Sequence, residues 1–322
     1  EYKWLNDIYS QSLQMSLRNL DVAFKNFFRY KKGFPKFKSK KNNYQSFQIP
    51  QNVSIDFKIQ KVKFPKIGFV KTKIDRSFNG KIKTCTISKV HSGKFYISVL
   101  VDNEIELENK KPKIKDSTTL GLDLGINYFA TFSNGTKIEN HKYLKNSLDK
   151  LKFQQRKLSR KIIGSHNRNK QRIKIAKLHE KVSNQRNDFL NNLTYKLTHE
   201  NQVESIALET LDIKNMLQNK YLSQSINDVS WNKFNLMLNY KCLWYNKNLI
   251  YIGQFEPSSK ICSTCGNYYH ELKLSDRTWT CINCKTSHDR DINAAKNIKS
   301  FALQKQNLIN KNREEYFQIN AC

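Results

Sequence analysis

Four cysteines arranged as two close pairs are the strongest chemical signal in this sequence of 322 residues. Each pair has C-x2-C spacing, and fifteen residues separate Cys262 and Cys265 from Cys281 and Cys284. Two such turns supply the four thiolates of a tetrahedral Zn²⁺ site. A site closed by four cysteines leaves no position for a substrate, so we expect the zinc to be structural. The spacing predicts no metal role for the remaining cysteines, which are Cys85, Cys242 and Cys322.

Three carboxylates in or beside apolar sequence are the second signal. In TTLGLDLG, strand alternation puts leucines on one face and Gly121, Asp123 and Gly125 on the other. We expect these glycines to leave room beside the carboxylate for a metal ion and a phosphate. Glu209 ends the apolar strand ESIALE, and Asp291 falls in the first turn of a predicted helix whose expected N-cap is Asp289.

Each acid alone also has an ordinary structural interpretation. An aspartate at a strand end is often part of a turn, and an acid in the first helical turn is favoured by the positive end of the helix. Together, two strands and a helix would place oxygen ligands around Mg²⁺, and such sites can hold two ions about 4 Å apart that cleave a phosphodiester.

The charge of the chain supports a polyanionic partner. Its 57 Lys and Arg residues outnumber 27 Asp and Glu residues, which gives a net charge of +30. Aromatic residues lie between the basic ones, which favours nucleic acid over an anionic membrane surface. A mean hydropathy of −0.71 and the lack of a long apolar run argue against membrane insertion. The paired cysteines indicate metal binding in a reducing compartment rather than disulfides.

Two basic segments are candidate contacts for a nucleic-acid backbone. The first is RYKKGFPKFKSKKNN, where phenylalanines alternate with Lys36, Lys38 and Lys40. The second is a predicted helical hairpin at residues 148–200, the basic hairpin, which is broken at IIGSHN. Its candidate contacts are Arg156, Lys157, Arg160, Arg168, Lys170, Arg172 and Lys174. A solvated linker and a solvated helix face are the alternatives, although charges of one sign repel unless an anion lies against them.

The spacing of apolar residues predicts which segments of the chain form helices and which form strands. Residues 2–30 carry apolar residues at helical spacing. Residues 46–108 alternate with a period of two and contain the hairpin signal HSG, which predicts a small antiparallel barrel or sheet. The residues after Gln304 are polar, and we assign no element or function to them.

The order of these motifs resembles the TnpB (OrfB-type) proteins of insertion sequences, which are relatives of type V CRISPR effector nucleases. The resemblance covers nearly the whole chain. GLDLGINYFATFSNG is similar to the first RuvC motif, IALETLDIKNM to the second and DRDINAAKNI to the third. SSKICSTCG and WTCINCK are similar to the zinc ribbon that family members insert before the last acid.

The resemblance implies an α/β fold with an RNase H-like (RuvC) nuclease domain. The expected domains are a helical and basic segment (1–42), a wedge-type β-barrel (43–112), the nuclease domain with the basic hairpin (113–259), the zinc ribbon insertion (260–287), the final RuvC helix (288–304) and a tail (305–322). Asp123, Glu209 and Asp291 would be catalytic and hold Mg²⁺, and the four paired cysteines would hold Zn²⁺.

The resemblance further implies partners and a location. A guide RNA made from the transposon end would pair with target DNA, which the RuvC site would cut, in the cytoplasm of a prokaryotic cell and at the nucleoid when DNA is bound. The family has a further strand and helices before the region that matches SQSLQMSLRNL. This chain starts there without methionine, so we expect an upstream segment to be missing and recognition of the DNA motif beside the target to be at risk.

Three other functions remain open from the sequence. The same acids would serve a transposase that acts directly on transposon DNA. The acids would instead be structural in a non-catalytic nucleic-acid-binding regulator, and the chain would be inactive if it were the remnant of a decayed element.

Overall fold

The computed structural model describes residues 2–39, 42, 44–106, 108, 110–200, 202–254, 256–273 and 275–319, without the side chains of residues 200 and 307–319. The chain divides into two compact units. The first comprises Glu1–Glu106 and Phe153–Glu180, and the second comprises Leu107–Lys152 and Lys181–Cys322. The outer part of the basic hairpin therefore groups with the N-terminal unit, whereas the sequence predicted it within the nuclease domain.

The first unit combines a long helix with six short strands. After a 3-10 turn at Lys3–Asp7 comes α1 (Ser10–Tyr30), and the strands are β1 (Gln45–Ile49), β2 (Ser54–Asp56), β3 (Lys61–Phe64), β4 (Gly68–Lys71), β5 (Lys81–Lys89) and β6 (Phe95–Asp102). The strands form two antiparallel sheets, ordered β1-β5-β6 and β2-β3-β4. β5 and β6 form the hairpin expected from HSG, with Gly93 in the left-handed region at φ 88°.

The two sheets contribute side chains to one small core. Ile49 from β1 packs with Val62 and Phe64 from β3, and Ile87 and Ile97 lie against them. Within the described residues, hydrogen bonds link the strands into two three-stranded antiparallel sheets, which agrees with the sheet alternative predicted from the sequence, and no continuous ladder joins the two. The reason is that β2, β3 and β4 are only three or four residues long, which is too short to extend a ladder around a barrel.

The basic hairpin consists of two helices. α2 (Tyr143–Ser159) and α3 (His166–Tyr195) are joined through Gly164 at φ 86°, and the π-helical turn Lys196–Glu200 follows α3. At the tip, Arg168 Nη1 donates to the carbonyls of Leu158 and Lys161, each at 2.9 Å. These bonds place a basic side chain on carbonyls at and just beyond the C-terminal end of α2, where cations are favoured.

The second unit is built on a mixed five-stranded sheet. Its strands are β7 (Thr119–Leu124), β8 (Tyr128–Phe132), β9 (Lys137–Glu139), β10 (Ser205–Glu209) and β11 (Asn248–Ile252), in the order β11-β10-β7-β8-β9. β11, β10 and β7 are parallel, while β8 and β9 return antiparallel. This mixed arrangement agrees with the α/β class expected from the sequence.

Helices cover both faces of this sheet. The helices of this unit include α4 (Ile213–Met216), α5 (Ser223–Val229), α6 (Trp231–Trp244) and α7 (Arg290–Ile319). One face packs Leu122 and Leu208 against Leu190 of α3 and Phe234 of α6. On the other face, Ala207 packs against Ile298 of α7. Both faces are therefore apolar, which explains why β7 and β10 are buried except at their C-terminal ends.

α7 is longer than the helix predicted at residues 288–304. It continues to Ile319, so the backbone of residues 305–319 is helical and not a separate tail. The sequence after Asp291 contains no glycine or proline to end the helix, and Gln, Lys, Leu and Glu are good helix formers. None of the helices in the described ranges combines the length and apolarity needed to cross a bilayer.

Candidate carboxylate site and cysteine cluster

The three predicted acids come from adjacent elements of the second unit. Asp123 lies near the C-terminal end of β7, and Glu209 is the last residue of β10. These strands are parallel neighbours with Leu122 opposite Leu208, so their next residues emerge at the same sheet edge. Asp291 lies in the first turn of α7, the helix that packs on this face.

Gly121 allows α7 to approach the sheet closely. A Cβ at Gly121 would lie 2.1 Å from the carbonyl oxygen of Ala295 and 2.8 Å from the backbone nitrogen of Lys299. The expectation that this glycine leaves room for a metal ion is therefore wrong, because helix backbone fills the space. The sequence indicated that residue 121 must lack a side chain, but it did not reveal that the backbone of α7 is the reason.

The electrostatic environment shows that the acids influence one another. Burial, together with the nearby charges of Asp291 and Glu209, raises the pKa of the Asp123 carboxyl to about 7, against a smaller opposing effect of Arg290. Burial also raises the pKa of Glu209 to about 7. Carboxyl groups that ionise near neutral pH at a strand edge are typical of functional sites, and a divalent cation would favour their charged forms.

Hydrogen bonds and ion pairs surround the first turn of α7. Asp289 Oδ1 accepts from the N–H groups of Asp291 at 3.1 Å and Ile292 at 3.0 Å, which confirms the predicted N-cap. Lys137 Nζ lies 2.6 Å from Asp289 Oδ2. Burial opposes ionisation of Asp289, but Lys137 and the N–H donors together hold its pKa below the usual range. Arg277 Nη1 lies 3.8 Å from Asp291 Oδ1.

Sequence reasoning missed Lys137 and Arg277. Both precede Asp289 and Asp291 in the chain, Lys137 by 152 residues, and neither lies in a recognisable motif. The pairing depends on β9 lying at the end of the sheet and on the loop before β12 (Thr278–Thr280) returning to α7. No periodicity or spacing signal could have found them.

The four paired cysteines form a compact sulfur cluster. Their Sγ atoms all lie within 4.8 Å of one another, and the Cys262–Cys284 and Cys265–Cys281 distances are both 3.6 Å. Sulfurs around a tetrahedral Zn²⁺ are about 3.8 Å apart, given Zn–S bonds of about 2.3 Å, so these residues fit the ion. Among the described residues, the four cysteines are the one set of three or more potential ligands whose ligand atoms lie close enough together to share a single ion. The carboxylates of Asp123, Glu209 and Asp291 do not lie that close together.

His288 supports the sulfur cluster from the strand that leads to α7. It lies on β13 (Ser287–Asp289), which pairs with β12, and is only 7% exposed. Its Nε2 is 3.1 Å from Cys262 Sγ, and its ring packs on Trp279 with centroids 4.8 Å apart. Burial lowers the pKa of His288. His288 therefore hydrogen-bonds to one of the four cysteines.

Most of the predicted nucleic-acid contacts lie on exposed surface. Lys36 and Lys38 are exposed, while Lys40 lies outside the described residues. In the basic hairpin the exposed members are Arg156, Lys157, Arg160, Lys170, Arg172 and Lys174. Arg168 differs, because its guanidinium is half-buried and bonded to two carbonyls of the hairpin tip. Arg168 therefore has a structural role at the hairpin tip, and its contact with nucleic acid stays a prediction.

Two family models match the chain. The model OrfB_IS605, described as "Probable transposase", matches residues 98–220. A model described as "Cas12f1-like, TNB domain" matches residues 231–298, which include the cysteine cluster and the start of α7.

Two bacterial relatives match almost the whole chain. A Streptomyces pristinaespiralis protein named "Putative RNA-guided DNA endonuclease" is 34% identical over 305 residues, which cover 94% of this chain and 74% of that protein. "Putative RNA-guided DNA endonuclease InsQ" of Escherichia coli strain K12 is 33% identical over 313 residues, covering 92% and 76%.

Among solved structures, a chain of "Cryo-EM structure of the Cas12f1-sgRNA-target DNA complex" has a TM-score of 0.55. The match covers 90% of this chain and 70% of that one at 14% sequence identity, so it concerns the fold alone.

Proposed function

The chain belongs to the TnpB family, and from this we propose that it is an RNA-guided DNA endonuclease that cuts target DNA at a RuvC-type site. Its two bacterial relatives carry names of that activity. The chemistry of the acids at the edge of the sheet supports the same activity from the residues upward.

Asp123, Glu209 and Asp291 would be oxygen ligands of Mg²⁺, and because the three do not converge closely enough to share one ion, they would serve a two-ion site. Bound to these residues, Mg²⁺ would supply Lewis-acid chemistry for hydrolysis of a phosphodiester. The carboxylates must be ionised to act as ligands, so the raised pKa values of Asp123 and Glu209 make binding of a cation and release of their protons one coupled event. Arg277 offers a guanidinium beside Asp291 that can bind a backbone phosphate.

The basic surfaces would hold the guide RNA paired with its target DNA. Lys36, Lys38 and the exposed basic residues of the hairpin offer charge without a base-reading motif, as expected for a protein that contacts backbone while base pairing reads sequence. We propose that the guide derives from the transposon end and that the protein acts in the cytoplasm. The four-cysteine cluster would bind Zn²⁺ in a structural role.

One observation carries the proposal: Asp123, Glu209 and Asp291 come from the adjacent elements β7, β10 and α7, and burial together with the charges of the other two acids raises the pKa of Asp123 to about 7. The test is to express the chain with RNA from its own transposon end, sequence the RNA that co-purifies, and assay cleavage of matching DNA with Mg²⁺. Asp123→Ala should reduce the cleavage rate by about 100-fold or more while RNA binding is retained. Cleavage at the unmodified rate by this variant would refute the site.

Direct transposition is a second candidate, favoured by the family model described as "Probable transposase". Transposon-end DNA supplied without RNA separates the two functions. Strand transfer under those conditions would refute the guided-nuclease proposal, whereas cleavage that needs a matching RNA would refute direct transposition.

A further inference from the structure

Two buried asparagines of α7, which we call the asparagine pair, lie outside the chemistry proposed above. Asn293 and Asn297 are 1% and 4% exposed. They are four residues apart, so they lie on one face of the helix and one turn from each other. Buried amide groups are nearly always hydrogen-bonded, and the partners they bond to reveal what the side chains connect.

Asn293 forms hydrogen bonds with the backbone on both sides of Cys262. Its Nδ2 donates to the carbonyl of Ile261 at 2.7 Å, and its Oδ1 accepts from the N–H of Ser263 at 2.9 Å. Ile261 and Ser263 are the immediate neighbours of Cys262 in the chain. One amide side chain therefore fixes the two peptide groups that present the first cysteine to its partners.

Asn297 adds a second attachment one helical turn later. Its Nδ2 donates to the carbonyl of Ile261 at 2.6 Å and to that of Ser258 at 2.7 Å. Four hydrogen bonds thus join α7 to residues 258–263. The carbonyl of Ile261 accepts from both asparagines, which makes it the centre of the attachment.

The sheet fixes α7 from another side. Ala295 lies directly over Gly121, where a Cβ would approach its carbonyl to 2.1 Å. Asp291 precedes Asn293 by two residues, within the first turn of the same helix. The position of the Asp291 carboxylate therefore depends both on the sheet and on the cysteine turn that the asparagine pair holds.

We propose that Asn293 and Asn297 are positioning residues that couple the metal-binding turn at Cys262 to the Asp291 carboxylate; this inference rests on the proposed function of the three acids. A metal ion on the four cysteines orders the backbone around Cys262, and the asparagine pair transmits that order to the first turn of α7. Coupling between two binding sites is reciprocal, so a cation at the carboxylates strengthens metal binding at the cysteines by the same factor.

The test measures Mn²⁺ affinity of the full chain before and after zinc is removed with a chelator that is then washed out. In the unmodified protein, zinc removal should weaken Mn²⁺ binding by about 10-fold. In the double variant Asn293→Ala, Asn297→Ala, the two sites should be uncoupled, with a zinc effect below about 2-fold. An equal zinc effect in both proteins would overturn the proposal.

Asn248→Ala is the matched control. Asn248 donates to the carbonyl of Pro112 and to Ser205 Oγ at the opposite end of β10 and β11 from Glu209. Removing these bonds should leave the zinc effect on Mn²⁺ affinity unchanged, and loss of coupling in this variant would refute a specific role for the pair. If the double variant does not fold, Asn297→Ala alone, which keeps both bonds of Asn293, should show an intermediate zinc effect.

Hydrogen exchange separates this proposal from the proposed function. Zinc removal should speed amide exchange in the first turns of α7 in the unmodified protein, without any guide RNA, DNA or Mn²⁺ present. Unchanged exchange would refute the coupling. Zinc-dependent exchange in a protein that neither binds Mn²⁺ nor cleaves DNA would refute the proposed function while the asparagine attachment stands.

Discussion

At the scale of single residues, Asp123 illustrates how a side chain acquires its chemistry from its surroundings. Its type and its place on an apolar strand identified it from the sequence. Its ionisation near neutral pH comes from burial and from the acids of β10 and α7, which are far away in the chain. Function at this position therefore depends on residues that local sequence cannot bring together.

Asp123→Asn should stabilise the protein when no divalent cation other than bound zinc is present, and more so at pH 8 than at pH 5. The folded pKa of about 7 lies above the ordinary value, so the folded state binds more protons than the unfolded one between these values. The free energy of unfolding consequently falls as the pH rises through that window, and asparagine avoids this loss. We expect a thermal midpoint about 2 °C or more higher at pH 8.

The control for this prediction is Asp116→Asn. Asp116 pairs with Lys299 at 3.1 Å, but its side chain is 78% exposed. Its replacement should change the thermal midpoint little at either pH. A gain for Asp123→Asn that is the same at pH 5 and pH 8 would contradict the raised pKa.

Gly121→Ala should be strongly destabilising, because the new Cβ would lie 2.1 Å from the carbonyl of Ala295. Overpacking against backbone cannot be relieved by a rotamer change, and we expect a loss of about 3 kcal/mol in the free energy of unfolding. Gly33→Ala is the control, since a Cβ added at Gly33 would meet no other atom within 4 Å. Denaturant unfolding of both variants checks the prediction, and similar midpoints would contradict it.

At the scale of elements, the base of the basic hairpin is held by one buried carboxylate. Asp228 of α5 accepts from the N–H groups of Leu144 at 3.0 Å and Lys145 at 3.2 Å, in the first turn of α2. Arg186 of α3 donates to the same carboxylate through Nε at 3.1 Å and Nη2 at 2.9 Å. Both arms of the hairpin are therefore attached to α5 at a single side chain.

Asp228→Ala should lower the free energy of unfolding by about 3–5 kcal/mol. The substitution leaves the half-buried guanidinium of Arg186 without its carboxylate and the N–H groups of α2 without an acceptor. Thermal or denaturant unfolding measures the loss. Asp116→Ala is the matched control, since it breaks an ion pair on an exposed surface and should cost less than about 1 kcal/mol. Equal costs would show that Asp228 is not a buried anchor.

Periodicity predicted the presence and type of the elements better than their bounds and their partners. The alternation in residues 46–108 identified strands, but it could not determine that they form two sheets, because strand partners are chosen by tertiary packing. The polar sequence after Gln304 gave no assignment, although its residues are good helix formers and extend α7 to Ile319. The sequence did not reveal that the turn at Gly164 brings Arg168 back onto α2, where it bonds to the carbonyl of Leu158.

At the scale of the whole molecule, the excess of positive charge determines how the protein should respond to salt. The net charge of +30 is carried in part by exposed basic residues of the hairpin. Binding to nucleic acid should release many counterions, so the logarithm of the affinity should fall with the logarithm of salt concentration with a slope of about −5 or steeper. A slope near zero in a salt titration would contradict a basic binding surface.

Replacing Lys170, Arg172 and Lys174 together by alanine should make that slope less negative by about 2 to 3, if each contacts a phosphate. The matched control removes Lys25, Lys73 and Lys83, which are also exposed but already pair with Asp21, Asp75 and Asp102. The same change of slope in both variants would show that only net charge matters.

The sequence by itself determined which residues are capable of chemistry: two cysteine pairs whose turns are local, three acids on apolar elements, and the sign of the charge. These features depend on residue type and short spacing, which the chain fixes without folding. Tertiary structure alone decided that α7 lies over Gly121, that Arg277 faces Asp291, and that Asn293 holds the turn at Cys262. Such contacts join residues from separate elements, and only the packing of one element against another brings them within bonding distance.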